Sequence, residues 1–170
     1  MRRPAGAYAN RLVVLFLKNL LFTVLVPGLV AGYVPWRLAS PGLAEGARLS
    51  QWLIAAPAFI LGSSIYFWCL WDFATAGRGT PTPVDPPKTL VVRGLYRYVR
   101  NPMYVGVLLV IVGWTLLTQS PAVATYGASV ALAFHLFVVF VEEPMLRARF
   151  GESYGAYCRS VSRWWPTRPA

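Results

Sequence analysis

The chain has 170 residues, 56% of them hydrophobic and only 13% charged, with a formal net charge of +10. Its mean hydropathy of +0.50 excludes an ordinary soluble domain, which has no way to hide that much apolar surface at this length. The basic excess does not point to nucleic acid, because it is divided among segments separated by apolar runs; anionic headgroups and the positive-inside bias account for it.

Four membrane-spanning helices are predicted, in one domain. The first covers residues 12–34, with Lys18 as its only charge, close enough to the start to snorkel. Pro27 and Gly28 are positions for a kink. The run is too long for the apolar core of a signal peptide, and a retained span is expected. The second covers residues 52–71, uncharged and ended on both sides by Trp52 and Trp71, as interfacial aromatic residues would be. From Met103 to Val141 there is no Asp, Glu, Lys or Arg. That is too long for one crossing and right for two, so spans at residues 103–118 and 121–141 form a tight hairpin, turned at Gln119-Ser120-Pro121. Span three, at ~24 Å, is short for a bilayer.

With four spans, Arg2, Arg3 and Arg11, the loop over residues 72–102 and the tail over residues 142–170 share one face. That face carries nearly all the basic residues, against Arg37 and Arg48 on the other. The bias places both termini, the loop and the tail in the cytoplasm, at the inner membrane. The return of the hairpin brings the charged segments on its two sides to that same face, which makes their junction the place to look for chemistry.

The first segment is Gly94-Leu-Tyr-Arg-Tyr-Val-Arg-Asn-Pro-Met-Tyr104. Asn101 followed by Pro102 marks a helix start, with Asn101 as the cap. A helix N-terminus beside Arg100 suits a carboxylate or phosphate; Arg93 and Arg97 serve equally well as lipid anchors. The second is Glu142-Glu-Pro-Met-Leu-Arg-Ala-Arg-Phe-Gly151. Adjacent carboxylates at a membrane edge are costly unless wetted or paired. Salt bridges to Arg100 or Arg147 are one reading; a carboxylate holding a cation or a ribose diol is the other, and spacing does not choose between Glu142 and Glu143. Beyond them Leu146, Phe150, Tyr154 and Tyr157 form a stripe, divided into two short helices at Gly151. The stripe reads as an interfacial packing face or as the wall of an adenine pocket.

Other candidates are weaker. His135, inside span four, is expected to hydrogen-bond a neighbouring helix through Thr115, Thr118 or Tyr126. Trp164 and Trp165 read as interface anchors, and Asp72 as a cap on span two. Cys69 and Cys158 read as unpaired thiols. The Gly77–Lys88 segment is an extended proline-rich loop and no phosphate loop. No metal site or hydrolase triad is apparent.

The pattern Gly94-x-Tyr96-x-x-x-Arg100-Asn101-Pro102-x-Tyr104-x-Gly106, a membrane hairpin, then Glu142-Glu143-x-x-Leu146-x-x-x-Phe150-Gly151-x-x-Tyr154-x-x-Tyr157 resembles the isoprenylcysteine carboxyl methyltransferases and the related phospholipid methyltransferases. The resemblance covers residues 93–166 and departs at Asn101, where a histidine often stands. It implies an integral membrane methyltransferase that uses S-adenosylmethionine and a lipophilic acceptor, either a carboxylate or a lipid amine. By motif, Tyr96, Arg100, Asn101 and Tyr104 line the cofactor pocket from one side. Glu142, Glu143, Phe150, Tyr154 and Tyr157 line it from the other, with Arg100, Glu142 and Glu143 as the catalytic candidates. An NADPH-dependent lipid or sterol reductase and a membrane scaffold without activity are the rival readings.

Overall fold

The computed structural model describes residues 26–39, 46–73, 75, 90 and 92–167, and among them every regular element is helical. The start of the first expected span and the Gly77–Lys88 loop lie outside the described residues. A π-helical turn at Gly28–Tyr33 runs into α1 (Val34–Leu38), so this helix continues one turn past the expected end at Val34. A π-turn leaves carbonyls without their usual partners. Here Trp114 Nε1–H donates to Ala31 O (2.9 Å) and the Tyr126 hydroxyl to Val30 O (2.9 Å), which ties the turn to the helices behind it.

Where the second span was expected stands α2 (Leu49–Asp72), opened by a Gln51 side chain that accepts from Arg48 N at 2.7 Å. Where the third was expected stands α3 (Pro102–Thr118). Its last turn is closed by Gln119 in the left-handed region (φ 50°), and Ser120 then caps α4 (Pro121–Phe137) by accepting from Val123 N. The connection between α3 and α4 is thus two residues long and the helices pack side by side. A π-helical turn at Val138–Glu142 passes without a break into α5 (Glu143–Ser160). Gly151 (φ 53°, ψ −129°) interrupts α5 internally, dividing the tail into two helical pieces as expected.

α2 and the continuous run from Pro121 to Ser160 are long and apolar enough to cross a membrane, whereas α3 has 17 residues and is shorter. Much of their apolar surface faces outward: Leu53, Ile60, Trp71 and Phe140 are all at least 66% exposed. An outward face of that kind needs an apolar surrounding. The packed interior lies instead where α2 meets α3. A Cβ on Gly62 would stand 2.6 Å from Gly106 O, and one on Gly106 would stand 2.8 Å from Gly62 O, so the two backbones are in contact. Small residues at a crossing permit this approach. Above it, Ile111, Val123 and Val107 close the core, and a groove of about 240 Å³, lined by Gly28, Ala31, Ser63, Tyr66, Phe67 and Val107 among others, opens between the first helix, α2 and α3.

The register of this crossing positions the site. Gly62 lies ten positions before the end of α2, and Gly106 only four after the start of α3. At ~1.5 Å per residue, α3 therefore begins roughly 9 Å short of the level that α2 reaches. A 3-10 turn at Gly94–Arg97 fills the step, with Tyr96 packed against Cys69 and edge-on to Phe73 at 5.5 Å.

Candidate functional site

Arg100 stands immediately before α3, and Glu143 opens α5. They meet: Arg100 NH1 lies 3.1 Å from Glu143 Oε1, with both side chains at least nine-tenths buried. A second guanidinium, that of Arg163, grips the same carboxylate through two bonds, Nε to Oε1 at 2.6 Å and NH2 to Oε2 at 3.1 Å. Burial works to raise the Glu143 carboxyl, but the Arg163 hydrogen bonds and the charges of Arg100, Arg163 and Arg147 outweigh it and hold the group below the usual glutamate range. The hydrogen bond to Glu143 in turn raises Arg163.

The remaining bonds of Arg100 define what the cluster lacks. NH1 also donates to Cys158 Sγ at 2.7 Å, while Nε is buried and has no partner among the described residues. Two guanidinium groups against one carboxylate leave a net positive charge, and a buried N–H without an acceptor is expensive. A carboxylate brought to this point would satisfy both. That is the test the cluster passes for a ligand with a carboxylate end.

Glu142 points elsewhere. Its Oε2 accepts the Tyr104 hydroxyl at 2.9 Å. Tyr104 stacks at 4.7 Å on Phe134 of α4 and meets the Trp164 ring at 6.5 Å. Adjacent residues on a helix differ by about 100° in direction, and that difference sends Glu143 to the arginines and Glu142 to the aromatic group.

Tyr154 and Tyr157 are buried together, 6.2 Å apart, with Phe150, Leu146 and Cys158 packed around them. Burial pushes both hydroxyls above the ordinary tyrosine range. The Tyr157 hydroxyl donates to Tyr96 O at 2.7 Å, which joins this wall to the turn before α3. All nine residues singled out in the sequence therefore fall in one region, arranged in two adjoining groups: Arg100, Glu143, Tyr154, Tyr157 and Phe150 in one, Tyr104 and Glu142 in the other, with Tyr96 and Asn101 bracing them.

Three expectations change. Asn101 holds the cap position, but its side chain makes no capping bond; Nδ2 donates to Arg163 O at 3.2 Å. The amide is turned to the returning tail, which two backbone bonds hold against this segment: Arg100 N donates to Ser162 O at 2.9 Å and Thr167 N to Tyr98 O at 2.8 Å. Among the described residues His135 finds its partner in that tail and not in Thr115, Thr118 or Tyr126: Trp164 Nε1–H donates to His135 Nδ1 at 3.1 Å. Asp72 does not cap α2; it is buried and ion-paired with Arg93 at 3.0 Å.

Arg163 and Cys158 were not among the sequence candidates. The signal for Arg163 lay in charge arithmetic: a buried carboxylate pair at the membrane edge calls for more than one arginine, and Arg163 stands in the tail that must return to cover them. Nothing in its spacing singled out Cys158, whose meeting with Arg100 depends on the path of α5.

A family model described as phospholipid methyltransferase matches residues 50–153 of this chain. Among solved structures, the chain is similar to a eukaryotic intramembrane Ras methyltransferase, an isoprenylcysteine carboxyl methyltransferase, with a TM-score of 0.52 and 20% identity. The match covers 96% of this chain and 53% of the other, so this chain spans about half the length of that protein. At this identity the likeness is one of fold. No curated protein matches the chain.

Proposed function

The chain belongs to the phospholipid methyltransferase family, since the family model covers more than half of it, and from that premise we propose that it is an integral membrane enzyme transferring a methyl group from S-adenosylmethionine to a lipid amine. The observation that carries the reading is the Arg100–Glu143–Arg163 cluster, in which Arg100 and Glu143 are buried and Arg163 partly so, with its surplus positive charge and an Arg100 Nε that has no partner among the described residues.

In this reading the protein crosses the inner membrane four times, α3 and α4 form the transmembrane hairpin, and both termini and the site face the cytoplasm. S-Adenosylmethionine supplies an activated methyl group on a sulfonium. Arg100 holds its carboxylate. Glu143 fixes the Arg100 guanidinium in place and thereby pre-organises it, which lowers the entropy cost of binding. Phe150, Tyr154 and Tyr157 supply flat faces for adenine, and aromatic faces attract a cation such as the sulfonium. Tyr96 and Asn101 brace the wall through backbone contacts.

Glu142 and Tyr104 face the acceptor. A carboxylate at this position repels an acceptor carboxylate but attracts an ammonium head, and it can take the proton that an amine must lose before attack. That preference selects the amine over an isoprenylcysteine-like carboxylate. Tyr104, bonded to Glu142, orients the accepting oxygen. The acceptor's apolar tail stays in the bilayer, and the groove beside Phe67 and Val107 is open to such chains. The recessed start of α3 lets a lipid head reach the site without leaving the membrane, where exclusion of water favours methyl transfer.

Detergent-purified protein titrated with S-adenosylhomocysteine and with NADPH tests this. S-Adenosylhomocysteine binds, and Arg100→Ala weakens it at least tenfold, the scale of a lost charge-assisted hydrogen bond. Binding of NADPH alone makes the protein a reductase. Binding of neither makes it a scaffold. Turnover on an aminophospholipid but not on a prenylated cysteine separates the two acceptor chemistries, and the reverse outcome overturns the role given to Glu142.

A further inference from the structure

At the end of α2 a carboxylate occupies a costly position. Asp72 has 3% of its side chain exposed and lies in the last turn of the helix, where backbone carbonyls already concentrate negative charge. Its Oδ1 accepts from Arg93 Nε at 3.0 Å, whereas Oδ2 is buried with no partner among the described residues. Directly above that oxygen is Gly94, in the left-handed region at φ +54°. A Cβ on Gly94 would run into Asp72 Oδ2 and stand 3.0 Å from Trp68 Nε1. The backbone of the turn is thus seated on the carboxylate, clamped by Arg93 on one side and admitted only because residue 94 has no side chain.

We propose that Asp72 is a positioning residue for the cofactor site: through Arg93 and Gly94 it sets the Gly94–Arg97 turn, and through the turn the Tyr96 carbonyl and Arg100. The inference rests on the methyl-transfer reading for its functional meaning and on the turn alone for its physical content. The path is short. Gly94 opens the turn, Tyr96 accepts the Tyr157 hydroxyl from its third position, and Tyr98 N and Val99 N both donate to Leu95 O, which leads the chain directly to Arg100. No hydrogen bond in it involves the acceptor group of Tyr104 and Glu142; the Tyr96 ring lies near enough to Glu142 to feel its charge, but the influence of Asp72 runs through the backbone bonds of the turn. Asp72 therefore acts chiefly on cofactor binding.

The test compares Asp72→Asn, Arg93→Gln, Gly94→Ala and the double variant Asp72→Asn/Arg93→Gln in detergent. In Asp72→Asn the KM for S-adenosylmethionine and the Kd for S-adenosylhomocysteine rise about tenfold, the scale of a modest misplacement of a binding group. The acceptor KM and kcat at saturating cofactor change less than about threefold. Gly94→Ala follows the same split. Arg93→Gln binds cofactor more weakly than the double variant, because the single change strands a buried charge and the second removes it. Independently of any ligand, amide exchange over residues 94–101 speeds up in Asp72→Asn while that of residues 105–118 does not. An unchanged cofactor KM, or equal losses in kcat and both KM values, overturns the inference. If the unaltered protein binds no S-adenosylhomocysteine, the methyl-transfer reading fails, and the exchange measurement still decides whether Asp72 sets the turn.

Discussion

Arg100 carries more of the site than any other side chain, because it is buried, charged and incompletely bonded. Arg100→Lys separates charge from geometry. A lysine keeps the positive charge but has no planar fork, so it cannot serve Glu143 and a ligand carboxylate together. We expect Arg100→Lys to retain the fold yet lose about tenfold in S-adenosylhomocysteine affinity, measured by calorimetry beside a thermal midpoint that stays close to that of the unaltered protein. Glu143 bears on stability. Its carboxyl is held below the usual range in the folded chain, so its contribution is present above the ordinary glutamate value of about 4.3 and is lost as pH falls through the depressed one. Glu143→Gln leaves Arg100 and Arg163 without their counter-charge, at a cost of about 3 kcal/mol. In thermal melts from pH 7 to pH 3 the variant starts lower and its acid limb is flatter; an acid limb as steep as that of the unaltered protein would show that other carboxylates govern it.

At the scale of elements, two glycine contacts are decisive. Gly62 and Gly106 bring α2 and α3 into backbone contact, and neither neighbour is the movable end of a side chain. Gly106→Ala must push the helices apart, and a loss of about 2 kcal/mol is expected from overpacking, read as a lower thermal midpoint together with weaker S-adenosylhomocysteine binding, since α3 carries Arg100 at its entrance. Gly151 behaves differently. It stands at φ 53° and ψ −129° with open space around its missing Cβ, so only the backbone resists a substitution. Gly151→Ala costs about 1–3 kcal/mol, the range for a strained backbone residue, and acts on the tail alone: cofactor binding weakens because Tyr154 and Tyr157 lie beyond the bend, while amide exchange in α2 and α3 is unchanged. These helices were legible in the sequence because apolar runs, Pro102, Pro121 and the Gln119–Ser120 turn mark their limits locally. The division of labour between Glu142 and Glu143 was not, because it depends on which partner each meets, and those partners, Tyr104 and Arg163, come from remote segments. The same holds for Asp72: a lone acid at a helix end looks like a cap until the returning chain places Arg93 and Gly94 upon it.

At the scale of the molecule, the depth and sidedness proposed for the site rest on helix lengths and charge. α2, with 24 residues, spans roughly 36 Å and can cross the bilayer fully, whereas α3 covers roughly 26 Å and begins below the level α2 reaches. In the proposed four-span arrangement a site at the entrance of α3 would lie beneath the headgroups, and Glu143 would shelter the arginines gathered there from an apolar surrounding that otherwise excludes them. The proposed sidedness rests on the basic residues within residues 92–167 against the sparse Arg37 and Arg48, which the four-span reading puts on the other side. In a background with Cys69→Ala and Cys158→Ser, a cysteine replacing the fully exposed Glu152 should react with an impermeant maleimide in inverted inner-membrane vesicles and stay unlabelled in intact cells. A cysteine replacing Ala47, before the other end of α2, should show the opposite pattern. Labelling of both from one side would mean that α2 does not cross, and the acceptor's route from the bilayer would go with it; an exchange of the two patterns would keep the crossing but put the site outside the reach of a cytosolic cofactor.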